Sequence, residues 1–267
     1  MTETLSPDAF TLITTFEGCS KHPEWPGEQS GVTIGYGIDL GQAPKSLAAW
    51  TPYLSPSDYG RLAETQSVKG EAAKPLAAAL QDIIIDHDDA LKVLNDYTIP
   101  QQIAITRDAY PGANALPADS FGALVSLIYN RGPSMTGSKR TEMATIKTLI
   151  AAGPDRWVEI ILQLAKMVPY WNNGVPTASN LAGRRLAEAS LFARGMREIG
   201  KLPNALIKGD KSDKASPIAA LQKALKIGAD GDFGSGTMLA VWNYQKTNAA
   251  LADSGVADTA TRTALKV

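Results

Sequence analysis

The chain has a single cysteine, Cys19, which excludes an intramolecular disulfide. No apolar run approaches the roughly 20 residues needed to cross a bilayer, so no stable membrane insertion is expected. An excess of charge of one sign is also missing. With 26 basic and 27 acidic residues the formal net charge is -1, which points away from nucleic acid as a partner. Residues 1–7 lack the basic and apolar regions of a signal peptide, so work outside the cytoplasm would need delivery by something else. What remains is an ordinary globular balance, 44% apolar and 20% charged over 267 residues. That length can bury one large core or two unequal ones.

Ser6-Pro7-Asp8 predicts a helix start, with a hydroxyl cap, a proline in the first turn and a carboxylate at the positive end of the dipole. Ala9, Leu12, Ile13 and Phe16 then make one apolar stripe, bordered by Glu17, and Gly18 can end the helix. From Gly31 to Gly41, Val32, Ile34, Tyr36, Ile38 and Leu40 alternate with small or polar residues, which predicts short β-structure broken by glycine bends. The rest reads as helical. Residues 68–95 carry helical spacing, with Pro100 beyond the predicted end. Asp119 is the predicted cap of a helix through Phe121, Leu124, Val125 and Ile128, stopped by Gly132-Pro133. Further helices are predicted to start near Thr141, Asp155 and Asn180.

Residues 200–217 are polar and without apolar period, which predicts a linker. A weak repeat follows. At 229–237 and again at 252–261 an acidic, glycine-containing turn precedes a hydroxyl that can cap the next helix. With Ile218 to Leu225 this predicts a three-helix unit, too small in core to be a catalyst and better suited to binding.

Three positions carry candidate chemistry. An ionised Glu17 on an apolar helix edge is poorly solvated, which suits a general acid, although a partly exposed glutamate paired with an arginine fits the same spacing. Thr33 and Asp39 share strand parity, but six residues of straight strand span roughly 20 Å. They can serve one site only if the chain doubles back, as Gly35 and Gly37 permit. A carboxylate and a hydroxyl together can hold a water and take its proton. Opposite an acid, that pair suits inverting glycoside hydrolysis, which needs carboxyl groups about 6.5–9.5 Å apart. Spacing alone favours a turn or cap role for Asp39.

Other residues suggest less. Cys19 with His22 or His87 could form a cysteine hydrolase, but no nucleophile signature surrounds it and a small buried thiol fits better. Asp86-His-Asp-Asp89 reads better as a solvated helix face than as a metal site, so no metal and no cofactor is expected. Gly35-x-Gly37 lacks the third glycine of a dinucleotide loop. Trp50, Tyr110 and Trp171 could stack on sugars or simply fill core.

Thr-Phe-Glu-Gly at 15–18, followed by Gly-Val-Thr-Ile-Gly-Tyr-Gly-Ile-Asp-Leu-Gly at 31–41, resembles the catalytic segment of phage-type lysozymes, glycoside hydrolase family 24. The order Glu, Thr, Asp is similar to pesticin and its relatives. Ser126-Leu-Ile-Tyr-Asn-Arg-Gly and Leu181-Ala-Gly-Arg-Arg-Leu-Ala-Glu resemble two later landmarks of that family. The resemblance implies a predominantly helical α+β domain over 1–200, with Glu17 as acid, Asp39 as the water-activating carboxylate and Thr33 as its helper. It also implies Arg184 near Glu17, with Asn130 and Tyr36 in supporting or substrate-binding positions. In the commoner phage order the second carboxylate precedes the threonine, which makes Glu28 the alternative base and 19–30 an insertion.

Leu221-Gln222, Asp230-Gly-Asp-Phe-Gly-Ser-Gly-Thr237, Ala240-Val241 and Tyr244-Gln245 resemble the signature of small peptidoglycan-binding domains. Within it Asp230, Asp232, Phe233 and Thr237 are the marked positions, Phe233 as core and Trp242 undecided. The implied layout is a catalytic domain 1–200, a linker 201–214 and a wall-binding domain 215–267. The implied activity is cleavage of the β-1,4 bond between N-acetylmuramic acid and N-acetylglucosamine. The partner would be bacterial peptidoglycan, reached through a holin-made opening or an export machine. An exported antibacterial effector with the same activity, a catalytically inactive wall-binding protein and a Cys19-dependent peptidase are the alternatives.

Overall fold

The computed structural model describes residues 4–213 and 216–267. It is predominantly helical with one small sheet, an α+β fold. Two compact units make it up: Glu17–Gln101, and Leu5–Phe16 with Gln102–Val267.

Helix α1 (Pro7–Glu17) starts where the sequence places it, with the Ser6 hydroxyl accepting from the Ala9 amide at 3.3 Å. It stops at Gly18, whose φ of +66° suits a residue without a Cβ. In the first unit, strands β1 (Ser20–Glu24), β2 (Thr33–Gly35) and β3 (Ile38–Asp39) form an antiparallel sheet in that order. The stretch 19–30, expected as an insertion, contains β1, which the sequence pattern does not signal. That strand is held on one side by β2 and is bonded through Lys21 O to the Ile85 amide at 2.8 Å. The buried side of this unit gathers Val32, Ile34, Leu40, Leu47, Trp50 and Leu62.

Three short helices complete it: α2 (Pro56–Ala63), α3 (Ala73–Ala78) and α4 (His87–Val93). The predicted helical run at 68–95 is therefore broken. Ile83 and Ile85 are buried while Ile84 is 63% exposed, an alternation of period two that only extended chain gives. A wide turn at Leu94–Thr98 then leads into α5 (Ile99–Ala109). That turn is π-helical and the residues on both sides of it are helical too. Helix α4 thus runs through it into α5, and Pro100 lies inside a continuous helical run instead of beyond a helix end.

The second unit is built on α6 (Ala118–Arg131) and α9 (Leu181–Glu198), with α7 (Thr141–Ala152) and α8 (Glu159–Lys166) packed beside them. Glycines let the backbones close up. A Cβ on Gly122 would stand 2.3 Å from that of Ala9, and one on Gly195 would stand 2.3 Å from Ser120 Oγ. The Asn180 side chain caps α9 by accepting from the Gly183 amide at 2.8 Å. Two helix starts differ from the reading. Asp119 lies inside the first turn of α6, after Pro117, and burial there raises its carboxyl. Helix α8 begins at Glu159, after a turn that contains Asp155.

Helices α10 (Pro217–Ala224), α11 (Ser235–Lys246) and α12 (Thr259–Leu265) are the three expected from the repeat. The segment read as a linker is fastened along its length. Leu206 and Ala257 exchange two backbone hydrogen bonds of 3.0 Å, and Phe233 does the same with Gly209 and Asp210 at 2.9 Å. Arg197 of α9 grips the Asp210 carboxylate at 2.6 and 2.8 Å, and Ala205 and Ile207 are buried. Two inward residues are too few to register as a period, so polarity dominated the sequence signal. Lys214 and Ala215, at the predicted domain boundary, lie outside the described residues.

This strap changes what proteolysis should do. A tryptic cut after the exposed Lys211 is expected to leave both fragments co-eluting in size-exclusion chromatography, parting only in denaturant. Separation in native buffer would show that the strap holds nothing.

Candidate functional site

Gly35-Tyr36-Gly37 turns the chain back on itself, with both glycines at positive φ, +56° and +79°. The consequence is a register in which Thr33 and Asp39 are direct cross-strand partners, Ile34 facing Ile38 between them and the turn. Two side chains six positions apart in sequence therefore share one face of the sheet. Glu17, the last residue of α1, belongs to the same unit and is half-buried.

Asp39 is oriented firmly. Its Oδ1 accepts from three backbone amides: Gly31 and Gly41 at 2.9 Å and Gln42 at 3.0 Å. Among the described residues Oδ2 accepts none. The Thr33 hydroxyl is buried and donates to Gly31 O at 3.4 Å, which leaves its lone pairs as acceptors. Gly31 thus touches both partners, and its lack of a side chain is required. A Cβ there would lie 2.4 Å from Gly41 N and 2.7 Å from Asp39 Oδ1. Gly31→Ala should cost about 1–3 kcal/mol, because rigid backbone must move to admit the methyl. An unchanged urea midpoint would show that the turn yields freely.

Glu28, the alternative base, is exposed on the connection between β1 and β2, at a φ of +50°. Its carboxylate accepts no hydrogen bond among the described residues, so nothing aims it. Tyr36 is buried in the turn and its hydroxyl meets His87 Nε2 at 3.0 Å. Burial pushes the Tyr36 phenol above its ordinary range. The sequence reading missed His87 as the anchor of this turn, and a pair 51 positions apart leaves no local signal.

The competing chemistries find other arrangements. Cys19 is half-buried, and burial, then the Asp86 carboxylate, push its thiol up. His22 bonds to Ile83 O at 3.0 Å and His87 to the Tyr36 hydroxyl at 3.0 Å, so both histidines have other hydrogen-bond partners. In the acidic run, Asp86 caps α4 by accepting from Asp88 N and Asp89 N, and Asp89 pairs with Lys92 at 2.8 Å. Among the described residues no three His, Cys, Asp or Glu side chains are grouped to hold a metal.

In the second unit the landmark residues of α6 and α9 form one buried network. Arg184, Arg185 and Glu188 are each fully covered. Glu188 Oε1 accepts from Ser126 Oγ at 2.7 Å, Arg185 at 2.9 Å and Arg184 at 3.3 Å. Arg184 also donates to Ser126 O at 3.1 Å, and its guanidinium lies 5.8 Å from the ring of Phe16, the residue before Glu17. Asn130 accepts from Arg185 at 3.2 Å. Of the aromatic candidates, Trp50 and Tyr110 are core. Trp171 is half-buried between the guanidinium groups of Arg131 and Arg185, at 4.7 and 5.3 Å.

The marked positions near the C-terminus mostly build the fold. Gln222 donates to Asp230 Oδ1, Asp232 O and Thr237 Oγ1 at 2.7–3.0 Å, while its oxygen accepts from the Gly231 amide at 3.0 Å. Gln245 repeats the pattern. It donates to Val256 O and Thr261 Oγ1 at 2.8 and 3.0 Å and accepts from Ser254 N and Gly255 N at 3.0 and 2.8 Å. Both glutamines are 1% exposed, and Gly231 and Gly255 both sit at positive φ. The weak sequence repeat is thus a repeat of one buried amide clamp. Phe233 is core and Trp242 nearly so, while Asp232 reaches Lys211 at 3.4 Å. Comparison of the chain with protein-family models and with curated proteins finds no match.

Proposed function

We propose that the chain is a muramidase that hydrolyses the β-1,4 bond between N-acetylmuramic acid and N-acetylglucosamine in peptidoglycan. The observation that carries this reading is the cross-strand pairing of Thr33 with Asp39, whose carboxylate is fixed through Oδ1 with Oδ2 left to act. A water between them would donate one hydrogen to the Thr33 oxygen and surrender the other to Asp39 Oδ2 as it attacks the anomeric carbon. Glu17 would protonate the departing glycosidic oxygen from the other face, giving inversion. The three-helix module would keep the enzyme on an insoluble polymer, raising local substrate concentration without adding chemistry. Delivery to the wall would fall to a holin or an export machine.

The test is to digest purified sacculi, reduce the products and identify the new ends by mass spectrometry. Muramitol ends support the reading. Glucosaminitol ends, or released peptides with intact glycan, would overturn it. A second check bears on Cys19. A thiol pushed up by burial stays protonated at neutral pH, so alkylation should be slow there and quicken only above the usual cysteine range. The alkylated protein should still digest sacculi; full loss of activity on stoichiometric labelling would favour a thiol peptidase.

A further inference from the structure

A cavity of about 200 Å³ lies in the second unit between α1, α9 and the strap. Leu12, Phe16, Ala187 and Leu191 give it an apolar wall. Its polar side carries the Asp8 carboxylate, which Arg194 takes up, and two groups that lack an acceptor of their own. Lys208 is half-buried, with its backbone pinned at both ends: its amide donates to Ser190 Oγ at 2.8 Å, and its carbonyl accepts from Arg194 at 2.7 Å. Its ammonium has no carboxylate partner among the described residues. Burial, then the nearby Arg194, push that ammonium below the usual lysine range. Arg194 itself is answered by Asp8 and by Asp119, the latter at 3.8 Å.

Ser190 supplies the second donor. It is 1% exposed, its oxygen already accepts from Lys208, and its own proton has no acceptor among the described residues. The two threonines on the α1 side differ, since Thr11 and Thr15 donate to the carbonyls of Pro7 and Thr11. One uncompensated cation and one covered hydroxyl donor beside an apolar wall define the missing half: a negative oxygen pair on a short hydrocarbon.

We infer that this cavity binds a small carboxylate with a short apolar chain, held by Lys208 and Ser190, propionate being the simplest of its class. A phosphate would satisfy the donors but would place charge against Leu12 and Phe16, which favours the carboxylate. The inference does not depend on the proposed muramidase activity.

The experiment follows the thermal midpoint of the full chain against propionate, with chloride keeping ionic strength constant. Propionamide and inorganic phosphate serve as comparison probes. A saturating rise with propionate alone is expected, because a ligand that binds only the folded state stabilises it. Lys208→Met keeps the stem and removes the charge, and should raise the half-saturating concentration at least about tenfold. Ser190→Ala should raise it less. Propionamide acting as well as propionate, or Lys208→Met responding like the natural protein, would overturn the site. Phosphate saturating at the same concentration would overturn the carboxylate assignment. Should Lys208→Met fail to fold, the three probes on the natural protein decide alone.

Discussion

Glu17→Gln should fold normally and lose at least about 10²-fold in the rate of wall hydrolysis, because an amide cannot protonate a departing glycosidic oxygen. Asp39→Asn should fall as far, and it is the more informative change. The asparagine oxygen can still accept from Gly31, Gly41 and Gln42, so the turn survives while the basic Oδ2 becomes a donor. A purely structural aspartate would therefore tolerate this substitution in a turbidity assay, and a catalytic one would not. Glu28→Gln should be close to silent, since that carboxylate is exposed and unaimed. A silent Asp39→Asn beside an inactive Glu28→Gln would move the base to Glu28 and restore the commoner phage order. Thr33→Ala should fall between the two, as it removes a water's acceptor but not its base.

The largest loss of stability is expected at Glu188. Its Oε1 is the shared acceptor of Ser126, Arg184 and Arg185, all fully buried between α6 and α9. Glu188→Ala would leave two covered guanidinium groups without it. Breaking a buried pair in this way costs about 3–5 kcal/mol, because the remaining charge stays out of water. Ser126→Ala removes a neutral hydroxyl and should cost about 1–3 kcal/mol. Denaturant unfolding measures both. A Glu188→Ala loss no greater than that of Ser126→Ala would show that the helices are held by packing alone.

Legibility followed the range of each interaction. The start of α1 at Ser6, its end at Gly18 and the cap at Asn180 are local hydrogen bonds and backbone preferences, and all were readable in the sequence. So was the possibility that Gly35 and Gly37 fold Thr33 onto Asp39, although the register itself also depends on Ile34 and Ile38 pairing. Of the three amides on Asp39, those of Gly41 and Gln42 are the local turn contacts that its spacing favours, while the Gly31 amide, from the far end of the segment, left no local signal. Period failed where burial was brief: Ile83 and Ile85 in extended chain passed for helix, and Ala205 and Ile207 were too few to betray the strap. Gln222 and Gln245 are legible as part of the C-terminal signature, but their purpose as clamps needed the loops they hold.

Those clamps reverse an ordinary expectation about loops. The amides of Gly231, Ser254 and Gly255 lie outside any helix or strand, where backbone hydrogens normally exchange quickly with solvent. Here each is held by a covered side-chain oxygen of Gln222 or Gln245. Their deuterium uptake should therefore be slow, comparable to that of the helices on either side. The turns between these helices would then open only when the module unfolds as a whole, so both repeats share a single opening event.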